Sequence, residues 1–282
     1  MKAGFWIAPR ADDATMTVMP IGAEPPQSGC KRNYLATRSA EEMIRRCRRT
    51  AMLLPELADA LAVHKADQPG RLFDITDFPD DDRELITQTL GEGEVAGIAA
   101  LPSGLLAQIQ EAVMAGVWRI RFTDPDGRQL ADYIEVASIP AAVRQACSAL
   151  PASISHGPAP AGAMNVMPVL TEIGDRIGRY NNGDPAHIIT FSLFPMSPDD
   201  MGFLQATLGA GPVQLTSRGY GTCRVVAAGV RNIWSVQFYN AMDTIILDTL
   251  EIAEIPSVAI AAEEDFRDSE ARLRDIEEAY FK

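Results

Sequence analysis

Lysine is nearly missing from this chain. Of its 25 basic side chains only Lys2, Lys31, Lys65 and Lys282 are lysine; the rest are arginine. Arginine's planar fork suits fixed contacts to carboxylates, although the codon usage of a GC-rich genome produces the same bias. Histidine and cysteine are also scarce. His64, His156 and His187 are scattered, and so are Cys30, Cys47, Cys147 and Cys223. There is no Cys-x-x-Cys pair and no grouping with zinc-ligand spacing, so no metal site is legible locally. The longest apolar runs, such as Val225 to Ala228, fall far short of the ~20 residues a membrane helix needs. Met1 to Arg10 lacks the basic and apolar regions of a secretory leader. The expectation is a cytoplasmic protein with reduced thiols and no membrane insertion. Positive charge is in deficit as well. The net charge is −13, from 25 basic and 38 acidic side chains, which excludes a general nucleic-acid binder.

The charge that is present is uneven. Residues 1–50 hold nine basic and five acidic side chains, whereas residues 251–282 hold four basic and ten acidic. Hydrophobic residues make up 47% of the 282, enough for one large core or two modest ones.

The most informative feature is an internal echo. Leu54-Pro55-Glu56-Leu57 returns as Met167-Pro168-Val169-Leu170, each with proline near the first turn of a helix, where its missing N–H costs little. Phe78-Pro79 returns as Phe194-Pro195, and Asp81-Asp82 as Asp199-Asp200, an acidic start that suits a helix dipole. Thr89-Leu90-Gly91-Glu92-Gly93 returns as Thr207-Leu208-Gly209-Ala210-Gly211. Trp118 and Phe122 match Trp234 and Phe238. Glu135 to Pro140 matches Glu251 to Pro256. The offset stays between 113 and 118 residues.

Each unit reads as a helix, a strand (Arg71 to Thr76, or His187 to Leu193), a short helix (Asp82 to Leu90, or Asp199 to Leu208) and then a run of strands. Glycine after the short helix serves as its C-cap. The later strands of the second unit are Val213–Ser217, Thr222–Ala228, Ile233–Tyr239 and Thr244–Ala253, rich in β-branched and aromatic residues. Their short connections favour an antiparallel meander, and Asp124-Pro125-Asp126-Gly127 is a hairpin turn in the first unit. The fold class expected is α+β: two internally repeated units, each with helices on a mainly antiparallel sheet, plus an N-terminal basic helix and a C-terminal charged helix. The boundaries are an arm and basic helix over 1–53, a first repeat over 54–150, a linker over 151–165, a second repeat over 166–260, and a terminal helix over 261–282. One merged domain is the alternative to two separate ones.

Candidate binding residues follow from chemistry. Arg218 and Tyr220 sit on a Gly-Tyr-Gly turn between two strands, and Tyr239 ends the next strand; Tyr and Arg are common anchors of interfaces. A hairpin tip whose glycines take positive φ is the plainer reading of that turn. Arg45, Arg46, Arg48 and Arg49 line one face of the helix over 39–53, either solvated or docking an acidic segment. Cys47 has the spacing of that helix's apolar face, which places it in the interior. Cys30 and Cys223 are the candidates for redox or metal handling, with strand core the default for Cys223. Trp118 and Trp234, being equivalent, read as core. The helix–glycine–strand order is the reverse of a phosphate loop, so nucleotide binding is not expected. The adjacent acids read as loop and helix-start charge, and no nucleophile–base pair is visible, so no catalytic residue is assigned.

Gly219-Tyr220-Gly221-Thr222-Cys223-Arg224, Asn232-Ile233-Trp234-Ser235-Val236-Gln237-Phe238-Tyr239-Asn240 and Ile246-Leu247-Asp248-Thr249-Leu250-Glu251-Ile252 form a run of about fifty residues with Leu208-Gly209-x-Gly211 before it and Ile255-Pro256 after it. This run resembles the C-terminal domain of the HupH/HyaF family of hydrogenase expression/formation proteins, to which HoxQ-type members belong. Phe5-Trp6-Ile7-Ala8-Pro9 and Met19-Pro20 match more loosely. The resemblance implies a role in building uptake NiFe hydrogenases. It implies a non-enzymatic chaperone with no cofactor, whose partners are the precursor of the iron–sulfur small subunit and other hydrogenase accessory proteins. A carrier that delivers or protects iron–sulfur clusters is the alternative.

Overall fold

The computed structural model describes residues 45–219 and 221–280. Among them are six α-helices and ten strands, an α+β protein. The chain divides into two compact units. The first takes in Gly104–Ala141 and the described residues within Val18–Ala96 and Ile260–Lys282; the second takes in Gly97–Ser103 and Ala142–Ala259. Neither unit is one continuous stretch.

In the first unit α1 (Arg48–Val63), β1 (Arg71–Asp74) and α2 (Asp80–Leu90) precede β3 (Leu106–Glu111), β4 (Val117–Thr123) and β5 (Gln129–Val136), and α6 (Glu263–Tyr280) returns to the same unit. The strand order is β1-β5-β4-β3, with antiparallel pairing of β1 to β5, β5 to β4 and β4 to β3. The β4–β5 hairpin turns at Asp124–Gly127, as its sequence suggests. The Asp124 carboxylate accepts from the N–H of Asp126 and of Arg128 at 3.0 and 2.8 Å, and Gly127 takes a φ of 79°.

α1 begins earlier than the proline pattern indicates. Arg45 and Arg46 are helical, Cys47 interrupts, and the helix then runs from Arg48 with Pro55 inside it. Leu54, Leu57 and Leu61 recur at helical spacing and are fully buried, each stabilising the core by about 1.5–3 kcal/mol. They pack with Phe73 of β1, Ile75 just after it, Ile134 and Val136 of β5, and Phe266 and Leu273 of α6.

The β3–β4 turn shows why α6 fits. Gly116 has a φ of +83°, and a Cβ there would lie 2.3 Å from the Phe266 ring. Gly116→Ala therefore combines a left-handed strain with a steric clash. It is expected to lower stability by about 2 kcal/mol, measured by urea unfolding, and to loosen α6 first. A neutral result would mean that α6 is not seated on this turn.

The second unit holds α3 (Ala141–Ser148, from Ala142 onward), α4 (Val166–Arg179), β6 (His187–Thr190), a 3-10 turn at Phe191–Leu193, α5 (Pro198–Leu208), β7 (Ala210–Ser217), β8 (Thr222–Ala228), β9 (Ile233–Tyr239) and β10 (Ile245–Ile252). The order is β7-β8-β9-β10-β6 and each of these pairings with a given register is antiparallel. Most of β2 (Val95–Ala100) also belongs here, beside β7. Val169, Leu170 and Ile173 of α4 and Leu204 and Leu208 of α5 form this unit's core with Ile233, Leu250 and Ile252.

Local solutions recur between the units. Gly91 and Gly209 cap α2 and α5 with φ of 60° and 66°, as expected of the glycines there. Trp118 and Trp234 are buried, and their ring N–H groups donate to Ala137 and Ala253 carbonyls at 2.8 and 3.1 Å.

The acids at the starts of α2 and α5 do more than face the dipole of their own helices. Asp82 is buried and accepts from the Thr50 N–H at 2.8 Å, at the start of α1. Asp200 is buried and accepts from the Asn165 and Val166 N–H groups at 2.9 and 3.0 Å, at the start of α4. Each second aspartate thus caps a neighbouring helix.

Candidate partner-binding surface

The expected turn residues meet at one end of the second unit's sheet. In the β7–β8 hairpin Ser217 faces Cys223 and Thr216 faces Arg224. Gly221 closes the turn with a φ of +107° and donates its N–H to the Gly219 carbonyl at 2.8 Å. Arg218 is exposed on this turn; Tyr220 lies outside the described residues. Tyr239 stands opposite Thr222 on one side and Ile245 on the other. Its hydroxyl donates to Gln237 Oε1 at 2.8 Å, and Gln237 Nε2 donates to Asp248 Oδ1 at 3.3 Å. The Arg224 guanidinium lies 5.6 Å from the Tyr239 ring centroid, close enough for a cation–π contact. Burial raises the phenol's pKa and Arg224 opposes that rise. The ring is half-buried and held on several sides, an anchor with little rotational freedom to lose.

The neighbouring β9–β10 turn is built around Asn240. Its side-chain oxygen accepts from the N–H of Met242 and of Thr244 at 2.9 and 3.0 Å, and Asp243 takes a φ of 53°. That geometry pushes Met242 into solvent at 81% exposure. Ile246, 64% exposed, and Leu247 follow on β10. The ladder that pairs Thr249 with Thr190 leads into the 3-10 turn, which packs against β10 and leaves Leu193 80% exposed with Phe194 beside it in sequence. Leu193, Phe194, Met242, Ile246 and Leu247 were not singled out from sequence. A signal existed: Ile245-Ile246-Leu247 breaks the in–out alternation of a one-sided strand, so one residue had to face outward. Exposed large apolar side chains at the end of a sheet that also bears Arg and Tyr are typical of an interaction surface.

The arginine group lies in the first unit. Arg45, Arg46, Arg48 and Arg49 are exposed around the start of α1, where positive charge opposes the helix dipole. The buried Asp82 carboxylate at the same helix start offsets part of that repulsion. Arg49 is engaged locally: it donates to the Asp77 carbonyl at 2.8 Å and sits 5.3 Å from the Phe78 ring centroid.

The described cysteines are interior. Burial, with Asp82 and Asp81 adding to it and Arg46 opposing, raises the Cys47 thiol to about 11. Burial raises Cys147 to about 11, and burial with Glu251 raises Cys223 to about 12. Such thiols are protonated at neutral pH and are poor nucleophiles or ligands as they stand. Cys30 lies outside the described residues. Among the described residues no three or more His, Cys, Asp or Glu side chains group as a metal site, and no helix is long and apolar enough to cross a membrane.

Comparison with known proteins follows the same lines. The family model for the C-terminal conserved region of the HupH hydrogenase expression protein matches residues 49–156 and 163–280. The chain is 86% identical over 282 residues to the hydrogenase expression/formation protein HupH of Rhizobium leguminosarum bv. viciae, covering 100% of both. It is 42% identical over 226 residues to the hydrogenase expression/formation protein HoxQ of Cupriavidus necator, 79% of each chain. It is 30% identical over 272 residues to the hydrogenase-1 operon protein HyaF of Escherichia coli K12, 95% of this chain and 92% of that one. Matched by the family model over most of its length and 30–86% identical to these relatives, the chain belongs to the HupH/HoxQ/HyaF family of hydrogenase expression/formation proteins.

Proposed function

We propose that this hydrogenase expression/formation protein is a non-enzymatic chaperone that holds the precursor of an iron–sulfur small subunit in the cytoplasm until assembly or export. The observation that carries the reading is the exposure of Leu193, Met242 and Ile246 at the end of the second unit's sheet that also bears Arg218 and Tyr239. Surface of this kind has a use when it covers an incompletely assembled partner. The two units are read as duplicates of one ancestral unit. Trp118 and Trp234, Gly91 and Gly209, and Asp82 and Asp200 play the same parts in each, and the family model falls on two successive segments. A cluster carrier acting through Cys30 or Cys223 is the competing reading; the raised thiol of Cys223 disfavours it.

Affinity isolation from hydrogenase-expressing cells tests the chaperone reading. The wild-type protein is expected to bring down a hydrogenase small-subunit precursor. Leu193→Asp combined with Ile246→Asp should reduce the recovery at least roughly tenfold, equivalent to about 1.4 kcal/mol or more. Because both side chains are exposed, stability should change by less than about 0.5 kcal/mol. A folded wild-type protein that recovers no hydrogenase subunit would defeat the proposal.

A further inference from the structure

We infer that a cleft at the C-terminal end of α4 docks an acidic helix of a partner protein, one bearing an aromatic anchor. This is a second site, separate from the apolar turn-end surface, and it rests on the reading of the two units as duplicates.

The first unit shows what such a place receives. The C-terminal helix α6 lies along α1, with Phe266 buried against Gly116 and edge-to-face with His64 at 4.7 Å between ring centroids. Ser269 Oγ donates to the Ala115 carbonyl at 2.9 Å, and Arg274 bonds Asp59 at 2.5 Å. The turn that α6 covers is marked by Gly116 in a left-handed conformation, its carbonyl accepting from the Ala137 N–H at 3.0 Å.

The second unit has the same turn. Asn232 takes a φ of 63°, and its carbonyl accepts from the Ala253 N–H at 3.0 Å. Here a cleft of about 520 Å³ opens, lined by Arg144, Ile177, Tyr180, Arg231, Asn232 and Glu254. Tyr180 is the C-cap of α4 as His64 is of α1, and Arg231 and Asn232 precede Trp234 at the spacing by which Ala115 and Gly116 precede Trp118. The volume falls within the range of ordinary ligand sites and suits the anchor side chains of a helix laid into a groove.

Charge defines the occupant. Where the first unit has Ala115, the second has Arg231, and α3 adds Arg144; both line the cleft. The carboxylate in the lining is Glu254, paired with Arg144, and the Arg231 guanidinium donates to the Leu150 carbonyl at 3.2 Å. With two arginines and one carboxylate in its lining, the cleft is basic in a chain whose net charge is −13, so the complementary segment is acidic. α6 itself has that character, with eight acidic and three basic side chains over residues 263–280. The Asn232 side chain, standing where Gly116 has none, makes the anchor sit shallower than Phe266 does.

A fluorescein-labelled synthetic peptide carrying residues 262–280 of this chain is the probe, titrated into the full-length protein with its own α6 in place. Saturable binding is expected, weakened at least roughly tenfold by Arg144→Gln with Arg231→Gln and by added salt, with a scrambled peptide of the same composition failing to bind. In the wild-type protein, where folding of a variant is not in question, the methyl resonances of Ile177 and Ile255 should shift. Absence of saturable binding, equal binding by the scrambled peptide, or shifts confined to α1 would overturn the inference. Recovery of a hydrogenase precursor through the turn-end surface is unaffected by any of these outcomes, so the two proposals fail separately.

Discussion

Asp200→Ala is expected to lower the unfolding free energy by about 3–5 kcal/mol. The carboxylate is 0% exposed and serves four donors. Its Oδ1 accepts from the Asn165 and Val166 N–H groups at the start of α4, and its Oδ2 accepts from the Ser197 N–H at 2.9 Å and from Ser197 Oγ at 2.8 Å. Ser197 Oγ in turn accepts from the Asp200 N–H at 3.1 Å, completing a capping box on α5. Alanine removes every acceptor at once and strands two helix starts in the interior. Guanidinium unfolding measures the loss; a change below about 1 kcal/mol would show that the helices are not tied together through this carboxylate.

The same group sets an acid limit. Burial alone would raise its pKa, but the bonds from Ser197, Asn165 and Val166 outweigh burial and hold it at about 2, below the ordinary 3.8. An aspartate depressed in this way contributes stability that is present above its unfolded value and lost as pH falls through the folded one. The relevant window is therefore from about pH 4 down to 2, and Asp200→Asn should flatten the pH dependence there.

Glu111→Gln has the opposite sign. Glu111 is buried at the end of β3, and burial, with Glu94 and Asp265 adding to it, raises its carboxyl to about 7 despite backbone donors at Gly116 and Val95. Below pH 4.5 both folded and unfolded chains hold the proton and the residue is neutral in effect. Between 4.5 and 7 the unfolded chain ionises first, so stability falls; above 7 the loss levels off. At ~1.4 kcal/mol per pKa unit the loss is about 3 kcal/mol. Glutamine cannot ionise. The variant is expected to match the parent near pH 4 and to exceed it by about 3 kcal/mol at pH 8, read from urea unfolding at each pH. A variant less stable than the parent at pH 8 would mean that Glu111 is ionised and well bonded in the folded chain.

Much of the fold was legible because local chemistry decides it. Thr222–Ala228 and Ile233–Tyr239 are strands with the bounds their sequence predicts, since β-branched runs there are cut by glycine and asparagine. The ends of α2 and α5 were legible because glycine is the residue that caps a helix in a left-handed conformation. Other features depend on distant parts of the chain. Nothing near Asp82 or Asp200 announces that its carboxylate is buried, because the helix-start donors each one serves lie 32 to 35 residues earlier. Gly97–Ser103 groups with the second unit, a placement fixed by close approach to β7: a Cβ on Gly97 would meet the Gln214 carbonyl oxygen at 2.2 Å. α3 was missed although Pro140 before it is a fair start signal. Of the candidate surface, Arg218 and Tyr239 came from residue type and position, while Leu193, Met242 and Ile246 emerged once exposure was known.

Hydrogen–deuterium exchange on the purified protein, alone and with a purified hydrogenase small-subunit precursor, tests the account of surface recognition most directly. Slowed exchange at residues 191–194, 218–222 and 239–247 on mixing is the expected outcome. Failure to form a complex, or protection that leaves all three segments unchanged, would contradict it.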